Sequence, residues 1–188
     1  FEKASPCGLR PQGVDIVRTW LYYSILRTVQ LLGKPVFRDV RISGMGLDEK
    51  GEPMHKSKGN VVFPEPVLER YGADAFRLWN ASEARLGSDY RFSEERVKAA
   101  SLFLTKLWNV SRFISSFPRP GEGYETTPLD EALLGDLNSL IEECTKAYDE
   151  MDVFPPANDV REFLWSTFAD HYIEAVKSRA YNTDGEFS

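Results

Sequence analysis

Val36-Phe37-Arg38-Asp39-Val40-Arg41-Ile42-Ser43, running on into Gly44-Met45-Gly46, decides the fold. Its residues alternate with the period of two that a strand requires, and glycine ends the run. Ahead of it, apolar residues recur at helical spacing from Val14 to Leu32, and Gly33-Lys34-Pro35 stops that segment. Helix followed by strand is half of a doubly wound parallel sheet, in which ligands sit beyond the carboxyl ends of the strands. The residues after Ser43 are therefore placed where a nucleotide would lie.

Those residues form a loop. Asp48-Glu49-Lys50-Gly51-Glu52-Pro53 reads as an exposed turn, and Met54-His55-Lys56-Ser57-Lys58-Gly59-Asn60 carries two lysines around a serine. Order returns at Val61-Val62-Phe63-Pro64. Closely spaced ammonium groups on a movable loop suit a polyphosphate, because lysine is a compact point charge that can follow developing negative charge. Taken alone, a Lys-Ser-Lys stretch also reads as a solvated loop. Glycines at 44, 46, 51 and 59, with few apolar residues between Asp48 and Asn60, leave the loop little to pack against. It is expected to be poorly ordered until phosphates are present.

Gly13 and Asp15 are the next candidates. A glycine lets a ligand approach the backbone, and a carboxylate two residues on can accept both ribose hydroxyl protons. Taken alone, Gly-x-Asp is more often a helix N-cap, a role Asp15 would serve well. Gly44-Met45-Gly46 offers backbone amides and carbonyls to an adenine edge, or is an ordinary turn out of a strand. His55 can meet a phosphate or water, whereas His171, beside Asp170 and Tyr172 in an apolar stretch, reads as structural.

The remainder is helical. Short helices are expected over Glu65–Tyr71 and from Ala73 to about Ser82, and a long one after Ser93-Glu94-Glu95-Arg96, through Phe117. A Pro/Gly/Thr-rich connector, Pro118 to Pro128, precedes helical stretches at about 129–150 and 156–181. The expected fold class is α/β followed by all-α: the C-terminal half of a Rossmann-type nucleotide-binding domain with linking helices (1–90), then an antiparallel helical bundle, incomplete, over 91–188. On the long helix, Lys106, Asn109, Arg112 and Phe113 stand three and four residues apart and can share a face. Such a set can bind phosphate, hydrogen-bond a base edge and stack on a splayed base, or it can be core with one solvated arginine.

Composition narrows the classes. The 188 residues are 42% hydrophobic, a globular proportion. No apolar run approaches the roughly 18 residues of a membrane span, and no secretory leader is visible. Cys7 and Cys144 have no ligand spacing around them, which suits a reducing cytosol better than a disulfide framework or a zinc site. A net charge of −6 argues against indiscriminate nucleic-acid binding and leaves local basic patches open. The chain begins at Phe1 without a methionine and reads as an excised segment.

Met54-His55-Lys56-Ser57 with Gly59-Asn60 resembles the second signature of the class I aminoacyl-tRNA synthetases, Lys-Met-Ser-Lys-Ser followed by x-Gly-Asn. Aligned on Gly59-Asn60, Pro53 replaces the first lysine and His55 the first serine, while Lys56 keeps the second lysine. Lys58 can take part of the role of the lost charge. The stretch from Leu9 to Trp20, with Tyr71–Trp79, Thr105–Ile114 and Phe168–Glu174, is similar to the valyl branch of that family, so the likeness covers nearly the whole chain.

The resemblance implies an ATP site made of Gly13, Asp15, Gly44, Met45, Met54, His55, Lys56 and Ser57, with Lys56 as the catalytic cation and Asp15 on the ribose. ATP would arrive with Mg2+, for which no metal site is visible in the sequence. Valine would bind mostly outside these residues. tRNA(Val) would meet the bundle, with Lys106, Asn109, Arg112 and Phe113 as candidate contacts, in the cytoplasm, with neither membrane nor DNA as partner. The first class I signature, His-Ile-Gly-His, and the editing insertion are both absent, so these residues alone are expected to be inactive. Two other readings stay open: a non-catalytic RNA-binding module, and a piece of an isoleucyl or leucyl enzyme.

Overall fold

The computed structural model describes residues 5–118 and 125–182. Strand β1 (Cys7–Gly13) pairs in parallel with β2 (Phe37–Ser43), in register from Cys7 opposite Phe37 to Gly13 opposite Ser43. The crossover between them is helical from Val14 to Leu32: a 3-10 turn at Val14–Ile16, a π turn at Val17–Leu21, then α1 (Tyr22–Leu32). Gly33 ends α1 with φ +69°, a left-handed conformation that glycine takes without steric cost. The helix-then-strand expectation is met within one or two residues at each boundary. β1 has no counterpart among the expected strands, because Gly8, Pro11 and Gly13 dilute any alternating signal.

Two further strands are only two residues long: β3 (Gly46–Leu47) runs parallel to β4 (Tyr90–Arg91). Between them come α2 (Pro64–Tyr71) and α3 (Ala73–Glu83), separated by Gly72 at φ +84°. Pro64 opens α2 at its first turn, where a missing N–H costs nothing. α4 (Glu94–Ser115) is capped by Ser93, whose Oγ accepts the Arg96 N–H at 3.3 Å. Arginine at that third position cannot return the bond, so the cap is one-sided rather than a full capping box.

The core lies where α2, α3 and α4 meet the β3–β4 pair. Val67, Ala75, Trp79, Phe92, Val97 and Ala100 are buried together, and the Trp79 ring meets Tyr90 and Phe92 edge-on. Residues of the size of Val97 or Phe92 each contribute about 1.5–3 kcal/mol by leaving water. By contrast no residue of α1 is buried, and Tyr22, Tyr23, Val29 and Leu31 stand exposed on it.

The rest is helix. α5 (Pro128–Asp149) begins with a capping box, in which Thr127 Oγ1 accepts the Asp130 N–H and Asp130 accepts the Thr127 N–H. α6 (Phe154–Glu162) runs without a break into a ten-residue π segment, Phe163–Tyr172, and then α7 (Ile173–Tyr181). The Asp130 carboxylate also receives both Nη groups of Arg179 and the Tyr172 hydroxyl, which joins the start of α5 to the end of α7. Hydrogen bonds from two side chains, Arg41 and Asn158, link β2 and the end of α3 to the later helices. Arg41 on β2 donates to the Met151 carbonyl at 2.9 Å and to the Ala84 carbonyl at 3.4 Å, and Asn158 on α6 donates to the Ser82 carbonyl at 3.1 Å. No described helix is long and apolar enough to cross a membrane. Part of the expected connector, 119–124, lies outside the described residues.

Candidate nucleotide site at the strand ends

Because Gly13 sits opposite Ser43, β1 and β2 finish at one level. The Ser43 hydroxyl donates to the Gln12 carbonyl at 3.2 Å and holds the two ends together. Gly13-Val14-Asp15 and Gly44-Met45-Gly46 therefore leave the sheet side by side, at the carboxyl ends of parallel strands. The cap position of the helical crossover falls on Gly13, with no side-chain cap bond, and Asp15 lies one step inside the first turn. The capping alternative for Asp15 is thus not made. Its carboxylate is exposed and accepts no hydrogen bond among the described residues. A Cβ on residue 13 would lie 2.6 Å from Asp15 Oδ1, so glycine keeps that oxygen clear.

Gly44 is fixed by sterics. A Cβ there would stand 2.0 Å from the Ser88 carbonyl oxygen and 2.5 Å from the Asp89 nitrogen, both backbone atoms that cannot swing aside. Immediately beyond, the Met45 N–H donates to Asp89 Oδ1 at 2.7 Å and the Met45 carbonyl accepts the Tyr90 N–H at 3.0 Å. This narrows the expectation that Met45 offers its backbone to an adenine edge. Both groups are occupied by the segment that enters β4, a pairing more than forty residues away in sequence.

The loop from Leu47 to Asn60 is built more firmly than its composition suggests. Leu47 bridges to Pro53, the Asp48 N–H donates to the Glu52 carbonyl, and Gly51 turns the chain at φ +85°. Asp48 is buried, at 8% exposure. Its Oδ1 accepts the N–H groups of Lys50 and Glu52 at 2.9 and 2.8 Å, and its Oδ2 accepts the Asn60 amide at 2.8 Å. These donors, Glu52 foremost and then Asn60, hold the carboxyl below its ordinary range. Met54 turns inward: its side chain packs on the core and its sulfur accepts the Val62 N–H at 3.4 Å. Met54 is therefore an anchor in this arrangement, and the expectation that the loop has little to pack against is corrected.

Only the tip is free. Lys56–Lys58 forms a single 3-10 turn closed by Gly59 at φ +68°. His55, Lys56, Ser57 and Lys58 are exposed, and their side chains have no hydrogen-bond or ion-pair partner among the described residues. The tip presents two ammonium groups, a hydroxyl and an imidazole, a set that can surround anionic oxygens. Sequence reading missed the Asp48–Asn60 pair beneath it. The available signal was an Asp followed by turn formers, a pattern in which the carboxylate bonds backbone N–H groups further along.

The four candidates on α4 separate. Lys106, Asn109 and Phe113 line a groove of about 550 Å³ together with Trp165, Asp170 and Lys177 of the π segment and α7. Lys106 Nζ lies 2.6 Å from Asp170 Oδ1 and 4.0 Å from the centre of the Trp165 ring. Phe113 packs edge-on to Phe117 and Tyr181. Arg112 does not line the groove, and its exposed side chain has no hydrogen-bond or ion-pair partner among the described residues. His171, whose Nδ1 is 2.6 Å from the Ser166 carbonyl, is engaged with the backbone of its own helix. Cys7 and Cys144 are both free thiols.

Residues 1–93 match the family profile described as tRNA synthetases class I (I, L, M and V), and residues 130–188 match the anticodon-binding domain of tRNA ligase. Over its whole length the chain is 57% identical to a valine–tRNA ligase of Aeropyrum pernix and 53% identical to one of Pyrobaculum aerophilum. It covers 23% and 24% of those proteins, so it spans about a quarter of the length of the curated relatives it matches. Among solved structures, a Mycobacterium tuberculosis methionyl-tRNA synthetase in complex with methionyl-adenylate superposes with TM-score 0.70 at 25% identity, over 94% of this chain and 36% of that one. An Agrobacterium radiobacter K84 LeuRS–tRNA–LeuAMS complex gives TM-score 0.70 at 22% identity, over 88% of this chain and 23% of that one. The parallel sheet and the mostly helical remainder thus form a class I synthetase-like fold. With two profiles matching in order along the sequence and close relatives aligned from end to end, the chain belongs to the class I tRNA synthetase family.

Proposed function

We propose that the chain is the segment of a valine–tRNA ligase that supplies one wall of the ATP site and the beginning of the anticodon-binding region. The reaction joins valine to ATP as an adenylate, releases pyrophosphate, and passes the acyl group to the terminal ribose of tRNA(Val). The observation that carries this reading is the exit of Gly13–Asp15 and Gly44–Gly46 side by side from parallel strands, with the Lys56–Lys58 turn hung from the second of them. End-to-end identity with valine–tRNA ligases supports valine over isoleucine or leucine.

In this reading Asp15 accepts the ribose hydroxyls, and Gly13 and Gly44 let the nucleotide approach the backbone, with Met45 beside them. Lys56 stabilises charge on the departing pyrophosphate, an interaction that strengthens only toward the transition state. Ser57, His55 and Lys58 sit on the same turn and can donate to phosphate oxygens, while Met54 anchors it. The Mg2+ that accompanies ATP would be held through substrate phosphates, the usual mode for that ion, with Lys56 and Lys58 beside them. Residues 1–90 then complete a Rossmann-type catalytic domain, and 91–188 begin an antiparallel bundle that meets tRNA, with Arg112 an exposed cation on it. The setting is the cytoplasm. Lacking the His-Ile-Gly-His signature, these residues are not expected to form adenylate alone.

ATP–pyrophosphate exchange by the full-length protein that carries this chain tests the reading. Exchange is expected with valine. Exchange driven by isoleucine or leucine, or none with any amino acid, overturns it.

A further inference from the structure

We infer that Asn60, gripping Asp48, is a positioning residue for Lys56: it fixes the orientation in which the Lys56–Lys58 turn meets the phosphates. The inference rests on the nucleotide-site reading above and deepens it. Asn60 uses all of its side-chain groups within the loop. Nδ2 donates to Asp48 Oδ2 at 2.8 Å and to the Pro53 carbonyl at 3.1 Å, while Oδ1 accepts the His55 N–H at 2.9 Å. The residue that closes the exposed turn therefore holds the residue immediately before Lys56, and ties both to a buried carboxylate at the loop's root.

The other fastenings do not do this. The Asp48–Pro53 turn is closed by its own backbone bonds, and Met54 is held by the core. Beyond Met54, and apart from the bonds of the turn itself, the Asn60 contact on His55 is the one tether among the described residues for the arm that carries Lys56. Gly59 at φ +68° returns the chain so that Asn60 faces His55 across the turn. The chemistry also selects this residue. Asp48 requires a donor and the His55 N–H requires an acceptor, and a primary amide of this length offers both on one plane. Aspartate at 60 would set two carboxylates against each other; alanine would free the arm and leave Asp48 Oδ2 without its partner.

The test uses the full-length protein and compares Lys56→Ala, Asn60→Ala, Asn60→Asp, the swap Asp48→Asn with Asn60→Asp, and Lys56→Ala with Asn60→Ala. A displacement of about 1 Å at a reacting group can cost on the order of 100-fold in rate, so Asn60→Ala and Asn60→Asp are expected to lower exchange kcat on that scale with valine KM unchanged. The swap restores the bond between residues 48 and 60 and keeps an acceptor for the His55 N–H, giving up only the bond to the Pro53 carbonyl, and should recover part of the rate lost in Asn60→Asp. If Asn60 acts through Lys56, the Lys56→Ala, Asn60→Ala double variant should be no slower than Lys56→Ala alone. Additive losses, a swap no better than Asn60→Asp, or full exchange in Asn60→Ala would overturn the inference while Lys56→Ala remains impaired. Full exchange in Lys56→Ala would instead overturn the nucleotide-site reading itself.

Discussion

The backbone of Ser88 crosses Gly44 so closely that a Cβ at residue 44 would meet its carbonyl oxygen at 2.0 Å. Since Gly44 comes directly after β2, the strand end and the chain entering β4 are fitted to each other. Gly44→Ala is therefore expected to force backbone shifts costing about 1–3 kcal/mol, the usual scale for overpacking. A thermal melt of the purified chain checks this, and an unchanged midpoint would contradict the contact.

Lys56→Ala in the full-length protein should slow ATP–pyrophosphate exchange on the order of 100-fold, the scale for removing one preorganised charge-stabilising group. Valine KM should hold, because the lost interaction belongs to the transition state. An undiminished rate at saturating valine would remove Lys56 from the mechanism.

Lys106 and Arg112 should behave differently although they lie six residues apart on one helix. Lys106 is committed to Asp170 and Trp165, so Lys106→Ala should lower thermal stability. Arg112 is exposed, so Arg112→Ala should leave stability alone and weaken tRNA(Val) binding. Its loss should flatten the log–log salt dependence by somewhat less than one unit, by counterion release. The same melt and salt-titrated binding for both variants separates the roles; identical behaviour would refute the division.

Asp130 provides a pH prediction. Arg179 foremost, then the Thr127 N–H and the Tyr172 and Thr127 hydroxyls, hold its carboxyl well below the ordinary range, against the opposing effect of burial. A depressed folded value means that the stabilisation is present above the unfolded pKa of about 3.9 and is lost as pH falls below it. Asp130→Asn should cost about 2 kcal/mol at neutral pH, the scale for hydrogen bonds to a charged group, and should lose less between about pH 4 and pH 2 than the parent does. Urea midpoints across that range decide it.

The legible part of the sequence was local. The 14–32 helix, the 36–43 strand and the helices after Pro64 and Ser93 each carry their own periodicity and stop signals, and they form within a residue or two of expectation. β1 was hidden because Gly8, Pro11 and Gly13 weaken the strand pattern; pairing with β2 overrides that weakness. The π segment at Phe163–Tyr172 has no composition that announces it. At the candidate site, the loop tip could be picked out from its own residues. The occupation of Met45's backbone by Asp89 and Tyr90 could not, because it depends on chain returning from more than forty residues away. Nor could the grip of Asn60 on Asp48, which looks in sequence like half of a Gly-Asn turn.

Arg41 gives the architecture a mechanical property. It lies on β2, two residues before the strand ends, and its guanidinium reaches the Met151 carbonyl between α5 and α6 and the Ala84 carbonyl after α3. A swing of the α5–α6 corner against the sheet would pull on this strut, and the strut is rooted in the strand from which the lysine-bearing loop hangs.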